Sequence, residues 1–140
     1  MEQWSEELLL LTSFAETNPQ AAYAAFTHGF VSKWTYLTRT MENIGPLLQP
    51  LEDILRTKLI PTLCGRSAPN DELRDLLALP CRLGGLGIPN PTCMASTEYS
   101  ASKAITTPIV STILSHDGRY TYETHADQLS AIAEARKAKR

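Results

Sequence analysis

Between residues 22 and 41 the chain places Ala22, Phe26, Phe30, Trp34, Leu37 and Met41 at steps of three and four residues. That spacing fits one face of a long helix and no strand. Asn18-Pro19 stands just before it, a capping residue followed by the imino acid tolerated at a first helical position, so the helix starts there. Gly29 falls on the stripe, where a missing side chain would let a neighbouring helix approach. Gly45-Pro46 punctuates the end. A face this long has to be buried against other elements, and the rest of the chain offers helices to do it.

Glu2 to Glu16 reads as a first helix, with Trp4, Leu8, Leu11 and Ala15 on one side. Leu47, Leu51, Ile54, Leu55 and Leu59 mark a third, with Pro50 confined to its first turn and Pro61 and Gly65 closing it. Asn70 followed by Asp71 and Glu72 predicts a cap and acids at the positive end of a short helix, which runs through Leu73, Leu76 and Leu77 and ends before Pro80. Pro91 or Thr92 opens another helical stretch. Thr107-Pro108 reads as a second cap that splits it, and His116-Asp117-Gly118 ends it. Glu123 to Lys139 is helical by composition and weakly amphipathic through Ala126, Leu129, Ile132 and Ala133. Only Leu83, Leu86 and Ile88 suggest a strand period, over too short a run to build a sheet. The expected fold is all-α: a small bundle of five to seven helices with a glycine-rich connector, residues 1–120 forming the domain and 121–140 a basic helix or tail.

At 140 residues the chain is long enough to bury a core. A net charge of −2 excludes a globally basic nucleic-acid binder but leaves room for a local basic face. The strongest such run is terminal, Arg136-Lys137-Ala138-Lys139-Arg140, which reads first as a solvated helix end. Cys64, Cys81 and Cys93 are odd in number and without a close pair. That argues against a disulfide framework or a zinc site, and for buried thiols in a reducing compartment. The acidic N-terminus is unlike a signal peptide, and the leucine run Leu8 to Leu11 is far too short to cross a bilayer. The expectation is an intracellular protein, nuclear or cytoplasmic, without membrane, metal or cofactor.

Three features could carry chemistry. Pro80-Cys81-Arg82-Leu83-Gly84-Gly85-Leu86-Gly87-Ile88 suggests a phosphate cradle at first sight. It lacks the lysine and spacing of a P-loop and the strand of a dinucleotide fold, so it reads as a tight turn in which Leu83, Leu86 and Ile88 plug into the core. The acid pairs Glu6-Glu7, Glu52-Asp53 and Asp71-Glu72 are only superficially like metal-binding carboxylates. They sit at helix starts or on polar faces, where acids are expected anyway. His28, His116 and His125 have no nearby acid or nucleophile in sequence and read as polar-face residues. The third feature is a ridge of Lys33, Tyr36 and Arg39, with Ser32, Thr35 and Thr38 beside it. Cations, an aromatic ring and hydroxyls in that order suit a phosphate backbone, and equally suit a solvated helix flank.

Three blocks in order, "AAYAAFTHGFVSKWTYLTRT", "LLQPLEDILRTKLIPTL" and "LLALPCRLGGLGIPNP", resemble the region just after the polymerase palm in retrotransposon-type reverse transcriptases of animals. The likeness spans roughly residues 3–115. It implies a helical thumb-like and connector segment, with the glycine turn as a structural connector. Catalytic aspartates of that family would lie upstream, and no Asp-Asp pair occurs here, so the resemblance implies a non-catalytic fragment. It suggests a module that holds a template–primer duplex, RNA–DNA or DNA, by sequence-independent backbone contacts through Lys33, Tyr36, Arg39 and Arg82. The alternative is a structural or interaction remnant. It would self-associate, or pack on a palm, through an exposed apolar face, for which Trp4, Leu8 and Leu11 are the expected residues.

Overall fold

The computed structural model describes residues 2–115 and, beyond them, residues 126, 129, 130 and 133. It is all-α, with no strand among the described residues. The α-helices are α1 (Glu2–Ala15), α2 (Pro19–Ala25), α3 (Ser32–Thr40), α4 (Gln49–Ile54), α5 (Ile60–Cys64), α6 (Asp71–Ala78) and α7 (Pro91–Ser115). A π turn, Phe26–Phe30, joins α2 to α3, and another, Leu55–Leu59, joins α4 to α5. Short 3₁₀ turns at Gly45–Leu48 and Cys81–Leu83 precede α4 and follow α6.

Both π turns follow from the sequence spacing. In a straight α-helix a four-residue step leaves a side chain about 40° round the axis, so three such steps from Ala22 to Trp34 would carry the stripe about 120° off the core. The π turn takes up one extra residue, with the Val31 amide donating to the Phe26 carbonyl at 3.1 Å, and brings the stripe back. Ala22, Phe26, Phe30 and Trp34 are accordingly all buried, and the three rings touch one another at centroid distances of 5.7–6.1 Å. The second π turn does the same for Leu51, Leu55 and Leu59, which are fully buried. It also accommodates Pro61, which lies inside α5 rather than ending it; the left-handed Gly65 terminates the helix.

The core gathers these two helical units around Leu8 of α1, with Ile44, Leu48, Ile88 and Ala95 closing it from the other side. Each buried leucine or phenylalanine contributes about 2 kcal/mol of burial. Helix α7 packs along α3 and over the Gly45–Leu48 turn. A Cβ on Gly45 would stand 3.0 Å from the Thr92 carbonyl oxygen, so this glycine permits the close approach. Gly29, expected to do so, is exposed, and a Cβ there would meet nothing. The stripe also ends differently: Thr38 is buried after Trp34, whereas Leu37 is half-buried and Met41 exposed.

Asn18 does not cap with its side chain, which donates to Thr17 Oγ1; its backbone carbonyl accepts from the Ala22 amide. Asn70 does cap, accepting from the Leu73 amide at 3.0 Å, and Asn90 caps α7 through Thr92 and Cys93. The expected break at Thr107-Pro108 is absent. Helix α7 continues through Pro108, and just before it the Thr106 and Thr107 hydroxyls donate to the Lys103 carbonyl one turn earlier. The stop expected at residues 116–118 lies outside the described residues. Of the tail, only residues 126, 129, 130 and 133 are described, each helical.

Candidate interaction surface

The glycine segment is a turn whose amides from its first leucine onward are all engaged. From Leu83 to Ile88 every backbone N–H donates to a carbonyl of residues 77–81, at 2.8–3.3 Å. An anion would find no free donor among these six amides. Gly84 and Gly87 have φ of +85° and +63°, and a Cβ on Gly85 would lie 2.0 Å from the Leu79 carbonyl oxygen. The turn thus folds back on the C-terminal end of α6 and drives Ile88 into the core. Leu86 is half-buried, but Leu83, expected inside, is exposed. Tyr23 locks the turn from α2: its hydroxyl donates to the Leu86 carbonyl and lies 3.6 Å from Cys81 Sγ. The contact with Cys81, then burial, raises the Tyr23 pKa above its ordinary value.

The ridge on α3 is present, but its cations are paired. Lys33 Nζ is ion-paired to Glu7 of α1 and sits 5.1 Å from the centre of the Phe30 ring. Arg39 Nε donates to Glu98 of α7 at 3.1 Å. Tyr36 projects outward, 71% exposed. Arg82 is exposed on the glycine turn and makes no ion pair among the described residues. Two clefts of about 80 and 240 Å³ flank the Arg39–Glu98 pair, both smaller than the roughly 300 Å³ at which small-molecule sites begin.

Among the expected acid pairs, Asp71 bonds Arg56 at 2.7 Å and Glu7 holds Lys33, so both are structural partners on the surface. Glu52 departs from the solvated reading. It is 5% exposed and receives Arg74 of α6, itself 2% exposed, through Nε to Oε1 at 2.6 Å and Nη2 to Oε2 at 2.7 Å. Arg74 also donates to the Ile88 and Pro89 carbonyls at 2.8 and 3.1 Å. Sequence reasoning missed this pair, although a signal existed: Glu52 stands four residues after Leu48 and three before Leu55, on the core stripe itself.

The three cysteines are exposed, not buried, because each falls where the chain leaves the core: at the end of α5, at the opening of the turn after α6, and in the first turn of α7. No group of three or more His, Cys, Asp or Glu side chains suited to a metal occurs among the described residues. No helix among them is long and apolar enough to cross a membrane. His28 is exposed; His116 and His125 lie outside the described residues.

The expected apolar face of α1 is reversed. Leu8 is fully buried and Trp4 and Leu11 pack on the core, leaving Leu9, Leu10 and Phe14 outside. Further exposed leucines belong to α6 and the turn after it, where Leu73, Leu76, Leu79 and Leu83 are each 39–49% exposed. The seating of this helix is unusual: Arg74 is buried while Leu73 and Leu76 face water, with Leu77 alone of its leucines packed on the core. Compared with known proteins, the chain matches no family model, no curated protein and no solved structure.

Proposed function

We propose that the chain is a non-catalytic helical interaction module, akin to the connector after the palm in retrotransposon-type reverse transcriptases, and that it self-associates through the leucine face of α6. The observation that carries this reading is the seating of α6. Burying Arg74 and its partner Glu52 costs desolvation that a leucine in the same place would avoid. What the pair secures is orientation: it fixes α6 and the glycine turn with Leu73, Leu76, Leu79 and Leu83 outward. Four exposed leucines within eleven residues, beside a hydrogen-bonded turn, suit a contact surface more than a solvated one.

A second reading, duplex binding through Lys33, Tyr36, Arg39 and Arg82, draws support from the exposed Tyr36 ring and the exposed Arg82. It requires Lys33 and Arg39 to exchange Glu7 and Glu98 for phosphates, at a cost of no more than about 1 kcal/mol each. Fluorescence anisotropy with an RNA–DNA hybrid across a salt series separates the two. The interaction module leaves the signal flat at low salt, whereas binding that falls steeply with added salt would replace it with the duplex reading.

A further inference from the structure

On the reading that α6 is a contact surface, we infer that its occupant is the basic C-terminal segment, residues 123–140, of a second copy of this chain. Charge decides between occupants. With Arg74 buried, every charged side chain that α6 shows to solvent is an acid: Asp71, Glu72 and Asp75. Asp71 is matched by Arg56; Glu72 and Asp75 make no ion pair among the described residues. Placing α6 against the α6 of a second copy would bring the acids of both helices together, with Arg82 of the glycine turn as a cation beside the leucines. An occupant that carries several cations next to an apolar stripe answers Glu72 and Asp75 best.

The chain contains such a segment. In the sequence Leu129, Ile132 and Arg136 stand at steps of three and four residues, and Lys137, Lys139 and Arg140 follow. Leucines meet leucine and isoleucine, and the cluster at 136–140 meets Glu72 and Asp75. Because each copy offers one α6 and one tail, the contact is reciprocal and closes as a two-fold dimer with both faces covered.

Two charge-swapped full-length variants test this by sedimentation velocity. Glu72→Lys/Asp75→Lys carries a basic α6 and keeps its basic tail; Arg136→Glu/Lys137→Glu keeps an acidic α6 and gains an acidic tail. The wild type is expected to form a concentration-dependent dimer, with each variant weakened about tenfold or more at low salt. An equimolar mixture of the two variants is expected to dimerise again, since both of its inter-copy contacts pair opposite charges. Adding Leu76→Ser to the first variant should abolish that mixed dimer, separating α6 docking from general attraction. A mixture that stays monomeric overturns docking between copies. A wild-type dimer insensitive to either swap but lost in Leu76→Ser overturns the tail as occupant and leaves the α6 surface standing. A wild type that is monomeric throughout overturns both.

Discussion

Arg74 of α6 and Glu52 of α4 form a two-pronged ion pair inside the protein, at 2.6 and 2.7 Å, with the guanidinium also bound to the Ile88 and Pro89 carbonyls. Four bonds converge on one side chain, and they tie together the middle helical unit, α6 and the extended exit from the glycine turn. The pair sets which way α6 faces.

Removing one partner strands the other charge in the interior. Arg74→Met is expected to lose about 3–5 kcal/mol in urea unfolding. The double variant Glu52→Leu/Arg74→Met should recover a large part of that loss, because no uncompensated charge remains. Equal losses for the single and the double variant would show that the Ile88 and Pro89 contacts, and not the pair, dominate.

The glycines separate by mechanism. Gly85→Ala drives a methyl into the Leu79 carbonyl and should cost about 2–3 kcal/mol. Gly84→Ala has room but a left-handed backbone, for a cost of about 1–2 kcal/mol. Gly29→Ala meets nothing and should stabilise by about 0.5–1 kcal/mol. Thermal melts of the three variants check the order.

Lys33→Ala and Arg39→Ala break surface pairs with Glu7 and Glu98, so each should lower stability by less than about 1 kcal/mol. On the interaction reading neither changes hybrid-duplex anisotropy. A drop in duplex affinity in the double variant would instead locate a nucleic-acid site on α3.

Pro108 interrupts the amide ladder of α7 without ending the helix. Pro108→Ala restores a backbone donor and should raise stability by up to about 3 kcal/mol, with no loss of helical circular dichroism. A destabilised variant would mean that the proline ring itself packs where it lies.

Much of the fold is legible in the sequence because apolar spacing and caps are local. The first helix, the long second unit, Pro50 in a first turn and the Asn70 cap all follow from neighbours in sequence. The π turns are legible in principle, since Ala22, Phe26, Phe30 and Trp34 keep strict four-residue steps that an α-helix alone does not hold to one face. Seating is not. Whether α1 buries Leu8 or Leu10, and whether α6 buries Leu76 or Arg74, depends on partners far away in the chain. The Lys33–Glu7, Arg39–Glu98 and Arg74–Glu52 pairs join residues 22 to 59 positions apart, and beyond the place of Glu52 on the core stripe no local pattern announces them. The ridge on α3 shows in its residue types, whereas its neutralisation by distant acids is visible only in three dimensions.

If α6 is seated to present Leu73 and Leu76, Leu73→Ser/Leu76→Ser should remove self-association and leave the fold alone. Sedimentation velocity on this variant and the wild type, with urea unfolding of both, decides the matter. The expected result is a concentration-dependent dimer for the wild type, and for the variant a monomer whose unfolding midpoint is unchanged or nearly so. Association that survives the substitution, or a variant that unfolds because those leucines hold the core, would overturn the contact-surface reading of α6.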